Sequence, residues 1–199
     1  RQRWREIRYS VLTTVIFLFP LAVVLIGTRG GWVKAYTGVA EFGWFWFSVS
    51  FLVVLVWHET YFYWVHRAMH SRLLFKRFHG VHHESREPSP FAAFSFHPLE
   101  AVLESLPFLI LVLFVPIHVG VLFAFTFFSL GMNVLGHLGV ELVSEARRDR
   151  APWKYVNTAS AHAWHHAKLR GNYGLYSTVW DRWMGTHRNS GASGASDAL

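Results

Sequence analysis

The sequence predicts an all-α integral membrane protein, with four transmembrane helices and a cytoplasmic, helical, histidine-rich cap that holds a dimetal site. Three observations carry this prediction. The chain is 52% hydrophobic and 18% aromatic but only 16% charged, far from the soluble-globular average. Its apolar residues collect into long uncharged runs. Eight of its thirteen histidines fall into three tight clusters.

The elements follow in chain order. Tyr9 to Thr28 carries no charge over twenty residues, enough at ~1.5 Å per residue to cross a hydrocarbon core of ~30 Å. This is the first span, with Pro20 expected to kink it. The second covers Phe42 to Trp57, and "HETYFYWVHRAMH" follows without Gly or Pro, so the helix should run on beyond the bilayer through His70. Ser105 to Val140 lacks Asp, Glu, Lys and Arg over 36 residues; as one helix it would reach about 54 Å and overshoot any bilayer. It should therefore be a hairpin broken at "PIHVG", Pro116 to Gly120, with spans over about 99–115 and 117–138. Glu100 and Glu104 then sit at the polar end of the third span.

Four spans put both termini on one side. Of the nineteen Lys and Arg, four precede the first span, five lie between Arg67 and Arg86, and eight between Arg147 and Arg188, while Arg29 and Lys34 alone occupy the opposite side. That asymmetry is a positive-inside signal and puts every histidine cluster in the cytoplasm: the inner membrane in a bacterium, the endoplasmic reticulum in a eukaryote. The net charge of +7 is thus read as topology, and nucleic acid is excluded because no basic repeat or binding motif accompanies it. The chain begins at Arg1, as a fragment or processed form would, and no secretory signal pattern is present. Residues 1–188 should form the membrane domain, and the Gly/Ala/Ser-rich stretch 189–199 a disordered tail.

There is no cysteine, which removes disulfides, thiolate zinc sites, iron-sulfur clusters and thiolate-ligated haem. Any metal must be held by nitrogen or oxygen. His66 and His70 share one helix face; His79, His82 and His83 form a second set, and His162, His165 and His166 a third. Eight imidazoles exceed what one tetrahedral zinc can use, so two metals are the economical reading. One such pair alone is more often structural; three dense sets on one membrane face reverse that balance. His137, at the cytoplasmic end of the last span, is a further ligand candidate. With nine histidines over two metals, a coordination position stays open.

The neighbouring residues offer candidate catalytic roles. Asn133 lies one turn before His137 and is placed to touch a metal through water. Glu59, Tyr63, His66 and His70 form one helical stripe, so Glu59 is a candidate to fix an imidazole tautomer or, equally, an interfacial carboxylate. Asp181 is a candidate of the same kind, or the partner of Arg182. His97 reads as a support for a ligand or as a turn residue ahead of Pro98. His58, His118 and His187 read as structural. A membrane zinc hydrolase is one alternative, but neither "HETYF" nor "HESRE" completes H-E-x-x-H. A metal-binding or transport protein, or a bis-His haem protein, would need ligands within the spans.

The ordered set HxxxH (His66, His70), HxxHH (His79 to His83) and HxxHH (His162 to His166), followed by "NYGLYSTVWDRWMGT", resembles the fatty acid hydroxylase and sterol desaturase superfamily of membrane non-haem diiron enzymes. The likeness covers about Trp57 to Thr186, and Pro88 to Pro107 is most similar to the sterol C-5 desaturase branch. Two positions depart from it: Asn133 stands where some fatty acid hydroxylases have a histidine, and "MGT" at 184–186 replaces "GGS". The resemblance implies two non-haem Fe ions, with zinc able to occupy the site in purified protein. It also implies O2, a lipid substrate, sterol-like or fatty-acyl, and hydroxylation or desaturation of a C–H bond in lipid biosynthesis. No flavin or nicotinamide motif is present, so electrons must come from an external donor of cytochrome or ferredoxin type with its reductase, docked on basic residues near the site.

Overall fold

A computed structural model describes residues 1–85 and 89–188, so the expected tail at 189–199 lies outside the described residues. Helices and turns form the described chain. Helix α1 (Gln2–Gly30) and α2 (Gly43–Met69) are followed by two short helices, α3 (Phe75–Phe78) and α4 (Gly80–His83). Then come α5 (Pro98–Phe114), α6 (Val119–Gly136) and three further short helices: α7 (Glu145–Arg148), α8 (Ala159–Lys168) and α9 (Val179–Trp183).

Helices α1, α2 and α6 are each long and apolar enough to cross a membrane; α5, with 17 residues, is shorter. Helix α1 begins well before the expected first span and continues through Pro20. It stops at Gly31, whose left-handed φ of 71° lets its N–H close back on Gly27 O, a glycine-specific helix end. Helix α2 runs unbroken from the apolar stretch into the first histidine pair, about 40 Å at the helical rise, and ends one residue before His70.

The hairpin break falls at residues 115–118, slightly earlier than expected. Pro116 has no N–H to give to the carbonyl four residues back, and Val115 before it is extended, at φ −120° and ψ 131°, as a residue before proline prefers. The carbonyl left over is Val112 O, and Lys34 N–H donates to it at 2.7 Å. Tyr36 continues the repair: its N–H donates to Ile117 O at 3.1 Å and its carbonyl accepts from Val119 N–H at 2.9 Å. The loop between α1 and α2 thus closes the tip of the α5–α6 hairpin.

The other end of the molecule carries the cap. Arg5 pairs with Glu84 at 2.7 Å, and Ser89 donates to Glu6, which ties the start of α1 to the second histidine box. Packing of α1 on α5, and of α2 on α5 and α6, encloses a core of Val54, Leu111, Val112, Ile117, Val121 and Phe125, joined by Tyr176 from the C-terminal segment. The outer face is apolar too: Phe19, Phe45 and Phe127 are 72%, 81% and 71% exposed. A belt of exposed large apolar side chains around a buried core is what a lipid solvent requires.

Candidate metal centre

Helix α8 begins where Thr158 accepts from Ala161 N–H, a side-chain cap of the usual kind. It presents His162, His165 and His166 inward, buried. The C-terminal end of α2 brings His66 and His70, α4 and its N-cap bring His79, His82 and His83, and His137 caps α6. The nine histidines meet as two groups. His66, His70, His79, His83 and His165 form one, and His82, His137, His162 and His166 the other; within each, ring nitrogens lie within 4.8 Å of one another.

The grouping crosses the sequence boxes. His79 and His83 go to the first group and His82 to the second; His162 and His166 go to the second and His165 to the first. The cause is helical phase. At ~100° per residue, position i+4 falls ~40° to one side of i and i+3 ~60° to the other, so the last two histidines of a box diverge by ~100°. Each HxxHH box therefore faces both groups.

Proton positions follow from the acceptors around the rings. A carbonyl only accepts, so an imidazole nitrogen bonded to one must carry the proton. His66 Nδ1 donates to Tyr173 O at 2.8 Å, His70 Nδ1 to Leu169 O at 3.1 Å, His165 Nδ1 to Gly171 O at 2.7 Å and His137 Nδ1 to Asn133 O at 2.8 Å. His79 Nδ1 meets the buried Glu100 carboxylate at 2.5 Å. The Nε2 atoms of these five rings are left as lone pairs, and they converge with the Nε2 atoms of His82, His83, His162 and His166. His66 and His79 Nε2 are 2.9 Å apart, His70 and His83 3.2 Å, His137 and His82 3.4 Å, and His162 Nε2 lies 3.0 Å from His137 and 3.1 Å from His166. Nitrogens about 2.1 Å from a common metal stand roughly 3.0–3.4 Å apart, so the spacing fits a cation at the centre of each group. His165 Nε2 is buried with no hydrogen-bond partner among the described residues, an orphan that a metal would satisfy.

Burial, reinforced by neighbouring imidazoles, pushes His79, His82, His162 and His166 well below the ordinary histidine range. Burial, partly opposed by the hydrogen bond to Leu169, takes His70 down to about 4, and burial with His70 nearby takes His165 to about 3. Neutral rings are the ligating form.

The carboxylates do something other than expected. Glu59 does not meet an imidazole: it accepts from Tyr176 N–H at 3.0 Å, and from Ser177 N–H and Oγ at 2.9 and 2.8 Å. Asp181 accepts from Tyr173 N–H at 2.9 Å, Gly174 N–H at 2.8 Å and Thr186 Oγ1 at 2.7 Å, while Arg182 turns to Thr178 and Lys154 O. Together they clamp the 173–177 loop that supplies the carbonyl for His66. Asn133 donates its amide to Ala93 O at 2.7 Å, so only its backbone carbonyl reaches the site, through His137. His97 caps α5 by accepting from Leu99 N–H, and His58 bonds Tyr176 OH in the core. The sequence reading assigned no role to Glu100 as partner of His79; a carboxylate at the start of an apolar helix was its visible signal. It also missed the carbonyls of Leu169, Gly171 and Tyr173. They are aimed by a turn with Leu169, Gly171 and Asn172 at φ of 57°, 71° and 52°.

Asp181→Ala leaves two backbone N–H groups and a hydroxyl without their acceptor, in a site 1% exposed. Metal affinity should fall about ten- to hundredfold, as for other residues that orient ligands, and thermal stability should drop with it. Equilibrium metal titration of the purified variant reads this directly; wild-type affinity would show that the loop holds its shape without the clamp.

A fatty acid hydroxylase family model matches residues 51–186. Human lathosterol oxidase is 32% identical over 190 residues, covering 93% of this chain and 61% of its own length. The mouse lathosterol oxidase is 31% identical over 189 residues, with the same coverage of both chains. The Delta(7)-sterol 5(6)-desaturase ERG3B of Gibberella zeae is 28% identical over 186 residues, covering 92% of this chain and 55% of its own. The chain thus spans little more than half the length of these relatives. No solved structure matches it.

Proposed function

The chain belongs to the fatty acid hydroxylase family, and from that premise we propose that it is a membrane-bound diiron oxidoreductase that hydroxylates or desaturates a lipid, sterol-like or fatty-acyl, in lipid biosynthesis. The observation that carries the reading is the convergence of Nε2 atoms in two groups, with five of the nine rings locked by a proton pinned outward on Nδ1. Five histidines would hold one iron and four the other. Two irons so bound would supply O2 activation and hydrogen removal from an unactivated C–H bond. The chain's own part is to keep nine imidazoles neutral by burial, to orient five of them, His66, His70, His79, His137 and His165, through Glu100 and the carbonyls of residues 133, 169, 171 and 173, and to exclude bulk water from the ring nitrogens. Glu59, Asp181 and Asn133 serve the reaction as positioning residues.

The rest of the proposal is architectural. Residues 1–188 act as one domain, with α5 as a fourth span completed by the residues at its ends, and the cap lies on the cytoplasmic side with the basic segments. Electrons come from a cytochrome or ferredoxin with its reductase. A zinc hydrolase, or a metal transporter, has no counterpart among the family or the relatives found.

Two measurements test this. Lipid extracts of cells with and without the protein, compared by mass spectrometry, should show a lipid that has gained one oxygen atom or lost a pair of hydrogens. Protein reconstituted anaerobically with Fe(II) should turn over when O2 and reductant are added, whereas the zinc form, favoured by the Irving–Williams order, should not. Turnover by the zinc form without O2 would refute the redox reading.

A further inference from the structure

A cavity of about 400 Å³ lies between α1, α5 and α6, within the range of pockets that enclose a small organic molecule. Its walls are apolar, with Phe17, Leu21, Val24, Phe108 and Leu122 among them. Leu18, Leu25 and Phe123 line it and are also exposed on the outer apolar face, so its mouth opens where lipid would lie. Against this background His58 and Glu104 stand out. Neither belongs to a histidine group.

Glu104 is 9% exposed, and among the described residues no hydrogen-bond donor or cation meets its carboxyl. Burying a carboxyl without a partner is costly, and a bound donor in the cavity would remove that cost. His58 completes the pattern. Tyr176 OH gives its one proton to Ser129 Oγ at 2.7 Å, so the 3.0 Å contact between Tyr176 OH and His58 Nδ1 has the imidazole as donor. His58 Nε2 is therefore a bare lone pair in the cavity wall. The chamber wall offers carboxyl oxygens and an imidazole nitrogen, either of which can accept the single proton of a hydroxyl on an apolar body. An ammonium group would match Glu104 as well, but its desolvation in an apolar chamber costs far more than that of an alcohol.

We propose that this chamber binds the lipid and that Glu104, with His58, recognises a lipid hydroxyl and sets the depth at which the lipid sits. The proposal rests on the lipid-oxidoreductase reading above. Glu104 lies one helical turn, about 6 Å, beyond Glu100, the partner of His79, and His58 lies about 12 Å along α2 before His66. A hydroxyl held there is offset from the histidine groups by one to two helical turns, and that offset governs which carbon of the lipid comes nearest them. Glu104 is a positioning residue, and the substrate class is a hydroxylated lipid rather than an unfunctionalised acyl chain.

The test uses iron-loaded protein in nanodiscs, with radiolabelled lathosterol and its 3-methyl ether as equilibrium binding probes. Wild type should bind the free alcohol at least about tenfold more tightly than the ether, the factor expected for one good hydrogen bond. Glu104→Leu should lower alcohol affinity to that of the ether with iron content unchanged, and Glu104→Gln, which keeps a carbonyl acceptor, should retain most of the preference. A preference that persists in Glu104→Leu, or its absence from wild type, overturns the proposal. Turnover with O2 and reductant is scored separately. Glu104-dependent binding with no oxidised lipid would leave this inference standing and remove the oxidoreductase reading, and equal oxidation of both lipids would do the reverse.

Discussion

Replacing His165 by alanine should lower bound iron well below two equivalents and reduce turnover by more than about a hundredfold, beyond the loss typical of residues that merely orient ligands. His165 has the clearest geometry for a ligand: Nδ1 is committed to Gly171 O at 2.7 Å, and Nε2 is buried without any other partner among the described residues. The variant should still insert and fold. The long helices satisfy their own backbone groups, and α8 keeps its Thr158 cap. Metal analysis and turnover of the same preparation decide the matter. Two equivalents of iron and full activity in His165→Ala would end the diiron assignment.

The second large effect is a contrast between two histidines that bound the same helix. His118 caps the start of α6, its Nδ1 accepting from Gly120 N–H at 2.9 Å and its Nε2 donating to Thr37 O at 2.7 Å. His137 caps the end, with Nε2 facing His82 and His162. Nineteen residues of helix separate them by about 28 Å. His137→Ala should remove metal and nearly all activity, whereas His118→Ala should lose a helix cap, about 1 kcal/mol of stability, and leave turnover close to wild type. Full activity in both variants would strike His137 from the ligand set. Iron loss confined to His118→Ala would put the site at the wrong end of the bundle.

Much of this arrangement was legible in the residues because helical spacing survives folding. His66 and His70 had to share a face, and the run from Trp44 to Met69 had to stay helical for want of any Gly or Pro within it. The hairpin was legible in Pro116, although its repair by Lys34 and Tyr36 was not, since that pairing joins segments some eighty residues apart. The same limit hid the partners of the imidazoles. Backbone carbonyls carry no residue signature, and those of Leu169 and Gly171 reach their rings only because Leu169, Gly171 and Asn172 adopt left-handed conformations. Gly171 and Asn172 are of types that readily adopt it, but Leu169 is not, so residue identity announced only part of the turn. Glu59 and Asp181 were visible as carboxylates near histidines, yet amide N–H groups of the 173–177 loop took their oxygens first. Reading each HxxHH box as one set missed its division, because i+3 and i+4 were treated as one face when they differ by ~100°.

That division has a thermodynamic consequence. Because α4 and α8 each send ligands to both groups, ordering either helix around one ion restricts the rings that would hold the other. The entropy of fixing those rings is lost once and serves both binding events, so the second ion should bind more tightly than the first. Loading should then be close to all-or-none, with little singly filled protein at substoichiometric metal, and a defect at either group should be felt at both.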